Sequence, residues 1–169
     1  DLREFGMKRV LASFLMEFDD QTCILDCGSS LEARRILRYM RKHDLALSKV
    51  SYLIPSHHHF DHAGGMWLLY RKIKKSNPDV KILTNEKTKT LLNEHEHHLG
   101  RARRTYQDFV GKMEVIEGDA FELNEASNNF SHDPRELDVV KNFEVNGEKV
   151  NLSILETPGH TPDHQCCLF

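Results

Sequence analysis

The chain has 169 residues, 39% hydrophobic and 29% charged, with a formal net charge of -3, the profile of a soluble globular domain of one-domain size. With 23 Lys and Arg against 26 Asp and Glu, no basic excess points to nucleic acid or an anionic membrane surface. No apolar run approaches the ~20 residues that span a bilayer, and "DLREFGMKRV" lacks a signal-peptide profile.

In chain order, Leu11–Phe18 and Thr22–Asp26 are β-rich runs joined by Asp19–Asp20, a predicted hairpin. A helix follows: Ser29 three residues before Glu32 is a capping-box pattern, and Leu31, Ile36, Leu37 and Met40 keep helical spacing. Val50–Ser56 is uniformly apolar at its start, as in a strand covered on both faces. "GGMWLLYRKIKKS" predicts a helix opening on Gly64–Gly65 and ending in lysines, which suit a helix C-terminus. "DVKILT" predicts a strand, and residues 85–112 a long polar helical stretch broken near Gly100. "KNFEVNGEKVNLSILET" predicts a hairpin turning at Asn146–Gly147. No linker or repeat divides residues 1–169, so one domain of α/β class with a mixed sheet is expected. Cys23, Cys27, Cys166 and Cys167 form no CxxC pair and read as reduced thiols, which places the protein in the cytoplasm.

The unusual number is 11 histidines, and four of them stand in "PSHHHFDHAGG", residues 55–65. His57 and His59 are two apart, so an extended segment would present both on one side, with His58 and Phe60 facing away. Asp61 and His62 follow where a turn swings them toward a neighbouring point. Two imidazoles, then a carboxylate and an imidazole, make half of each of two adjacent sites for a borderline metal such as zinc. A further ligand is offered by "LETPGHTPDH", which sets His160 on a Pro-Gly turn after a strand.

Together these segments resemble the metallo-β-lactamase superfamily, whose signatures are HxHxDH and, later, a turn of the form TPGHTPG. Here they stand as His57-x-His59-x-Asp61-His62 and Thr157-Pro158-Gly159-His160-Thr161-Pro162. "ILDCGSS" is a third likeness, with Asp26 and Gly28 kept and Cys27 in place of the family's threonine. The resemblance implies an αββα sandwich, here its N-terminal half and the start of the second. His57, His59 and His160 would hold a first zinc, Asp61 and His62 would belong to a second, and Asp26 would orient the ligands from behind. Iron or manganese are the alternative metals. The family's bridging aspartate and last histidine would fall beyond Phe169, so the chain reads as the N-terminal part of a longer protein.

The resemblance also implies the chemistry. A hydroxide generated on the metals attacks a carbonyl or phosphoryl centre, with Asp61 as ligand and orienting carboxylate. The net charge argues against the nuclease members, and His59 stands where the diiron reductases carry a glutamate. "SHHHFDHAGG" is most similar to the lactonase and thioesterase branches, so a small-molecule thioester, lactone or related ester is the expected substrate. The rival reading is a non-catalytic metal-binding or interaction module of the same fold. A homo-oligomer stays open.

Other residues carry weaker signals. His95, His97 and His98 lie among Glu94, Glu96 and Arg101, which reads as a solvated face. Arg101, Arg103 and Arg104 read likewise. His164 reads as a structural hydrogen-bonding residue, Trp67 as core, and His43 and His132 carry no signal.

Overall fold

In the computed structural model, residues 2–4, 7–94, 99–100, 103–104, 112–124 and 136–169 are described. The chain opens with an antiparallel ribbon, β1 (Leu2–Glu4) and β2 (Met7–Leu11). β3 (Phe14–Glu17) and β4 (Thr22–Leu25) form the expected hairpin, with Phe14 opposite Leu25 and Glu17 opposite Thr22. α1 (Ser30–Lys42) then crosses over to β5 (Val50–Ile54), parallel to β4. The Ser29 hydroxyl accepts from the Leu31 amide at 3.1 Å, satisfying one orphan donor of the first turn. Glu32 meets that hydroxyl instead of the Ser29 amide, so the box closes between side chains.

A one-turn helix, α2 (Phe60–Ala63), precedes α3 (Met66–Ile73). The predicted helix opens just after the two glycines, as α3, and the one-turn α2 that carries Asp61 and His62 before them is an element the sequence did not announce. A Cβ at Gly65 would lie 2.5 Å from the Ser29 carbonyl oxygen and 2.7 Å from the Ala33 Cβ, so a bare backbone lets α3 start against α1. β6 (Lys81–Thr84) runs parallel to β5, and α4 (Glu86–Asn93) is capped by Asn85, which accepts from the Thr88 amide at 2.8 Å. The rest of the polar stretch up to residue 111 lies largely outside the described residues.

β7 (Phe121–Leu123) joins β6 in parallel and completes a sheet ordered β3-β4-β5-β6-β7. Its three residues are too short to show a period, and the sequence reading passed over it. β8 (Val139–Val145) and β9 (Glu148–Glu156) turn at Asn146 and Gly147, with φ of 52° and 78°, the two positive values a type I′ turn needs. β10 (Gln165–Leu168) pairs with β9 to give a second sheet, β10-β9-β8.

The period of two sorts the apolar residues of the first sheet between two cores. Ile24, Leu53 and Ile82 pack against Ile36, Met40, Met66, Leu69 and Ile73 of the helices. Their neighbours Cys23, Ile54 and Leu83 pack against Phe143, Leu152 and Ile154 of the second sheet. Both faces being covered explains why "VSYLI" is uniform and not alternating. Helices, first sheet and second sheet are three successive layers of an αββα sandwich.

Candidate metal centre

β5 ends at Ile54, and residues 56–58 bend instead of continuing extended. His57 and His59 therefore do not share a side by lying two apart on an extended strand. Two buried carboxylates draw the segment out of the sheet: Asp26 Oδ1 accepts from the Ser56 amide at 2.7 Å, and Asp163 Oδ2 from the His58 amide at 2.8 Å.

The rings converge all the same. Centroids of His57 and His59 lie 4.7 Å apart, His57 and His160 5.0 Å, His59 and His160 4.9 Å. Each can offer a nitrogen such that the three lie within 4.8 Å of one another, a spread that small ring rotations can gather onto one ion. His57 is buried, His59 half-buried and His160 exposed, so the trio faces inward at one corner and outward at another.

Whether these residues fit a metal is decided at His57. Its Nε2 is buried without a hydrogen-bond partner, an unfavourable state that a bound cation would relieve. Its Nδ1 lies 3.0 Å from the Ser56 hydroxyl, which lies 2.8 Å from Asp26 Oδ2. A carboxylate only accepts, so the hydroxyl donates to Asp26 and accepts from His57 Nδ1–H, leaving a lone pair on Nε2. Burial first, then the neighbouring His62, His59, His164 and His160, lower the His57 pKa to about 3. Burial is also the first cause lowering His59. Neutral imidazoles with free lone pairs are the metal-binding form, and three histidines with an open side are the donor set of a catalytic zinc. The residues fit.

Asp61 and His62 stay outside the trio. They stand together on α2, each about a third exposed, with His62 Nε2 3.8 Å from Asp61 Oδ2. The His62 ring lies 4.2 Å from that of His57, and its Nδ1 donates to Asp26 Oδ2 at 2.9 Å, which again leaves Nε2 with the lone pair. Asp26 thus receives the Ser56 amide, the Ser56 hydroxyl and His62 on one carboxylate. It does so from a left-handed backbone with φ of 54°, which aspartate tolerates better than most residues. The amides of Cys27 and Gly28 donate to the His62 carbonyl at 2.8 and 3.0 Å, so "DCG" anchors α2 as well.

Phe60 turns into the interior. His58 hydrogen-bonds Asp163, with its Nδ1 2.7 Å from Oδ1, although its ring still lies 4.8 Å from that of His59. Asp163 is 1% exposed and was missed from sequence. Its signal was legible as the one departure from TPGHTPG, an aspartate in the place of the last glycine. Burial opposes its ionisation, but hydrogen bonds from His58 and Thr88 outweigh that and hold the carboxyl below its usual range. His164 contacts the Thr157 hydroxyl through Nδ1 at 2.8 Å, with its ring 5.2 Å from His57. Trp67 is buried and donates its indole N–H to the Lys112 carbonyl at 2.9 Å. Arg103 and Arg104 are exposed, whereas His95, His97, His98, Arg101 and His132 lie outside the described residues. His43 packs against Tyr39 with the rings tilted and their centroids 4.3 Å apart.

A histidine trio at the edge of two stacked sheets matches the family suggested by the sequence. The chain belongs to the metallo-beta-lactamase superfamily, whose model matches residues 9–169. Among solved structures it is similar to MEM-A1, a subclass B3 metallo-beta-lactamase isolated from a soil metagenome library (18% identity, TM-score 0.60, 92% of this chain and 49% of that one). It is similar to LRA-12, a class B3 di-zinc metallo-beta-lactamase from an Alaskan soil metagenome (21%, 0.59, 94% and 50%). MIM-1 from Novosphingobium pentaromativorans is similar at 20% identity and TM-score 0.57, over 91% of this chain and 47% of that one. At these identities the likeness is one of fold, and the chain spans about half the length of each structure. No curated protein matches it.

Proposed function

We propose that the full protein is a zinc-dependent hydrolase that cleaves a thioester, lactone or related ester. In this reading His57, His59 and His160 hold one ion, and Asp61 and His62 contribute to a second. The observation that carries it is the buried, unpartnered Nε2 of His57 facing two further imidazoles. A divalent ion held there would supply a water of near-neutral pKa and a Lewis acid for an acyl oxygen.

The chain's own residues supply the rest. Asp26 and Ser56 keep protons on the Nδ1 atoms of His62 and His57, so both Nε2 atoms are presented as acceptors. In this reading Asp61, about a third exposed beside His62, orients the attacking water by accepting a hydrogen bond from it. The exposed His160 marks the side from which substrate enters. The four cysteines are free thiols, which supports a cytoplasmic setting, and no described helix is long and apolar enough to cross a membrane.

The test is a substrate panel of thioesters, lactones and β-lactams, assayed on the full protein with added zinc and again after chelation. Turnover of a thioester or lactone that chelator abolishes and zinc restores is expected. A metal-loaded protein that turns over no ester of any kind would favour the non-catalytic module.

A further inference from the structure

We propose that Asp163 is a positioning residue that sets the distance between the two segments carrying the histidine trio. The inference rests on reading His57, His59 and His160 as one metal site. Those histidines come from two places far apart in the chain, the bend after β5 and the turn after β9. Nothing in either segment alone fixes where the other lies. Asp163 joins them, because it follows His160 by three residues and reaches under the first segment.

One carboxylate oxygen accepts from the His58 amide at 2.8 Å and from the Thr88 hydroxyl at 2.9 Å; the other lies 2.7 Å from His58 Nδ1. His58 stands between His57 and His59, so a grip on its amide fixes the backbone that carries both. The turn is held from the opposite side as well. The Asp163 carbonyl accepts from Asn85 Nδ2 at 3.0 Å, which ties it to the start of α4. Two residues on, the Gln165 amide donates to the Ser56 carbonyl at 2.8 Å and its side chain to the Pro55 carbonyl at 2.8 Å.

Gln165 and the pairing of β9 with β10 already close the turn against β5, so the fold does not depend on a charge at position 163. Burying a carboxylate is unfavourable unless it is fully hydrogen-bonded. Both oxygens of this one are hydrogen-bonded, and two of its three bonds run to the one residue flanked on both sides by trio histidines. The arrangement suits a carboxylate that holds a ligand-bearing backbone in place, as hydrogen-bond partners behind metal ligands do.

The test uses Co(II), whose visible absorption reports coordination geometry, titrated into metal-depleted protein. Asp163→Ala is expected to bind Co(II) about 10–100-fold more weakly, with an altered spectrum. Asp163→Asn keeps an acceptor for the His58 amide and should recover most of the affinity. Leu152→Ala, a truncation in the core between the sheets, is the stability control: it should melt earlier and leave the Co(II) spectrum unchanged. If Asp163→Ala does not fold, Thr88→Val removes one donor to the same carboxylate and should shift affinity in the same direction by less. Wild-type affinity and spectrum in the folded Asp163 variant, or in Thr88→Val where that stands in for it, would overturn the inference. So would a Leu152→Ala spectrum altered in the same way. A wild-type chain that takes up no Co(II), or a His160→Ala variant that binds as tightly as wild type, would instead remove the metal reading and this inference with it.

Discussion

Asp26 shows how one side chain can set the state of two others. Its carboxylate accepts from the Ser56 amide, the Ser56 hydroxyl and His62 Nδ1 at 2.7, 2.8 and 2.9 Å, and through the hydroxyl it also sets the proton on His57. Replacing it with alanine releases both rings to either tautomer. Zinc affinity should fall about 10–100-fold, as read by competition with a chromophoric chelator; an unchanged affinity would contradict the role. His57 carries a second expectation. Its pKa falls from 6.5 to about 3, so between those values the unfolded chain binds a proton that the folded, metal-free chain refuses. Stability of the metal-free chain should therefore rise with pH across that window and gain nothing more from this residue above it. Urea midpoints at pH 5 and pH 7 measure the difference, and His57→Gln should shrink it. An identical pH dependence in the variant would mean that other groups govern it.

At the scale of elements, the site depends on what happens just after strands end. β4 passes directly into Asp26, β5 into the histidine bend, and β9 into the His160 turn. β5 was legible because burial on two faces leaves a run of apolar residues, β9 because Asn146–Gly147 marks its hairpin, and α1 because Ser29 and Glu32 mark its start. The bend at residues 56–58 was not legible. It is made by Asp26 and Asp163, which lie 30 and 105 residues away from the amides they capture, and no local period reports such partners. Thus the convergence of His57 and His59 was expected for a reason the structure replaces. The one-turn α2 before Gly64–Gly65 was hidden in the same way, although the start of α3 at those glycines, where Gly65 meets α1, was legible. That contact is testable: Gly65→Ala sets a methyl 2.5 Å from the Ser29 carbonyl oxygen and should destabilise the chain by about 1–3 kcal/mol. Thermal or urea unfolding checks it, and an unshifted midpoint would show that α1 and α3 separate without strain.

Across the whole molecule, two cores share one sheet. Ile24, Leu53 and Ile82 face the helices, and Cys23, Ile54 and Leu83 face the second sheet. This stacking carries the ends of β5 and β9 to one edge, where His57 and His59 from the first sheet meet His160 from the second. The family was readable from motif order, and Asp163 was marked only by its departure from the family's last glycine, since its partner His58, read as facing away, lies 105 residues off in the chain. The central claim is that the trio is a metal site, and the direct measurement is elemental analysis of the zinc-loaded, dialysed chain beside His57→Ala and His160→Ala. Three imidazoles with an open fourth position hold zinc firmly, whereas Asp61 and His62 alone leave a second ion mostly hydrated. About one zinc per chain should therefore survive dialysis in the wild type and be lost from both variants. A wild-type chain that retains no zinc, or variants that retain as much as the wild type, would contradict the account.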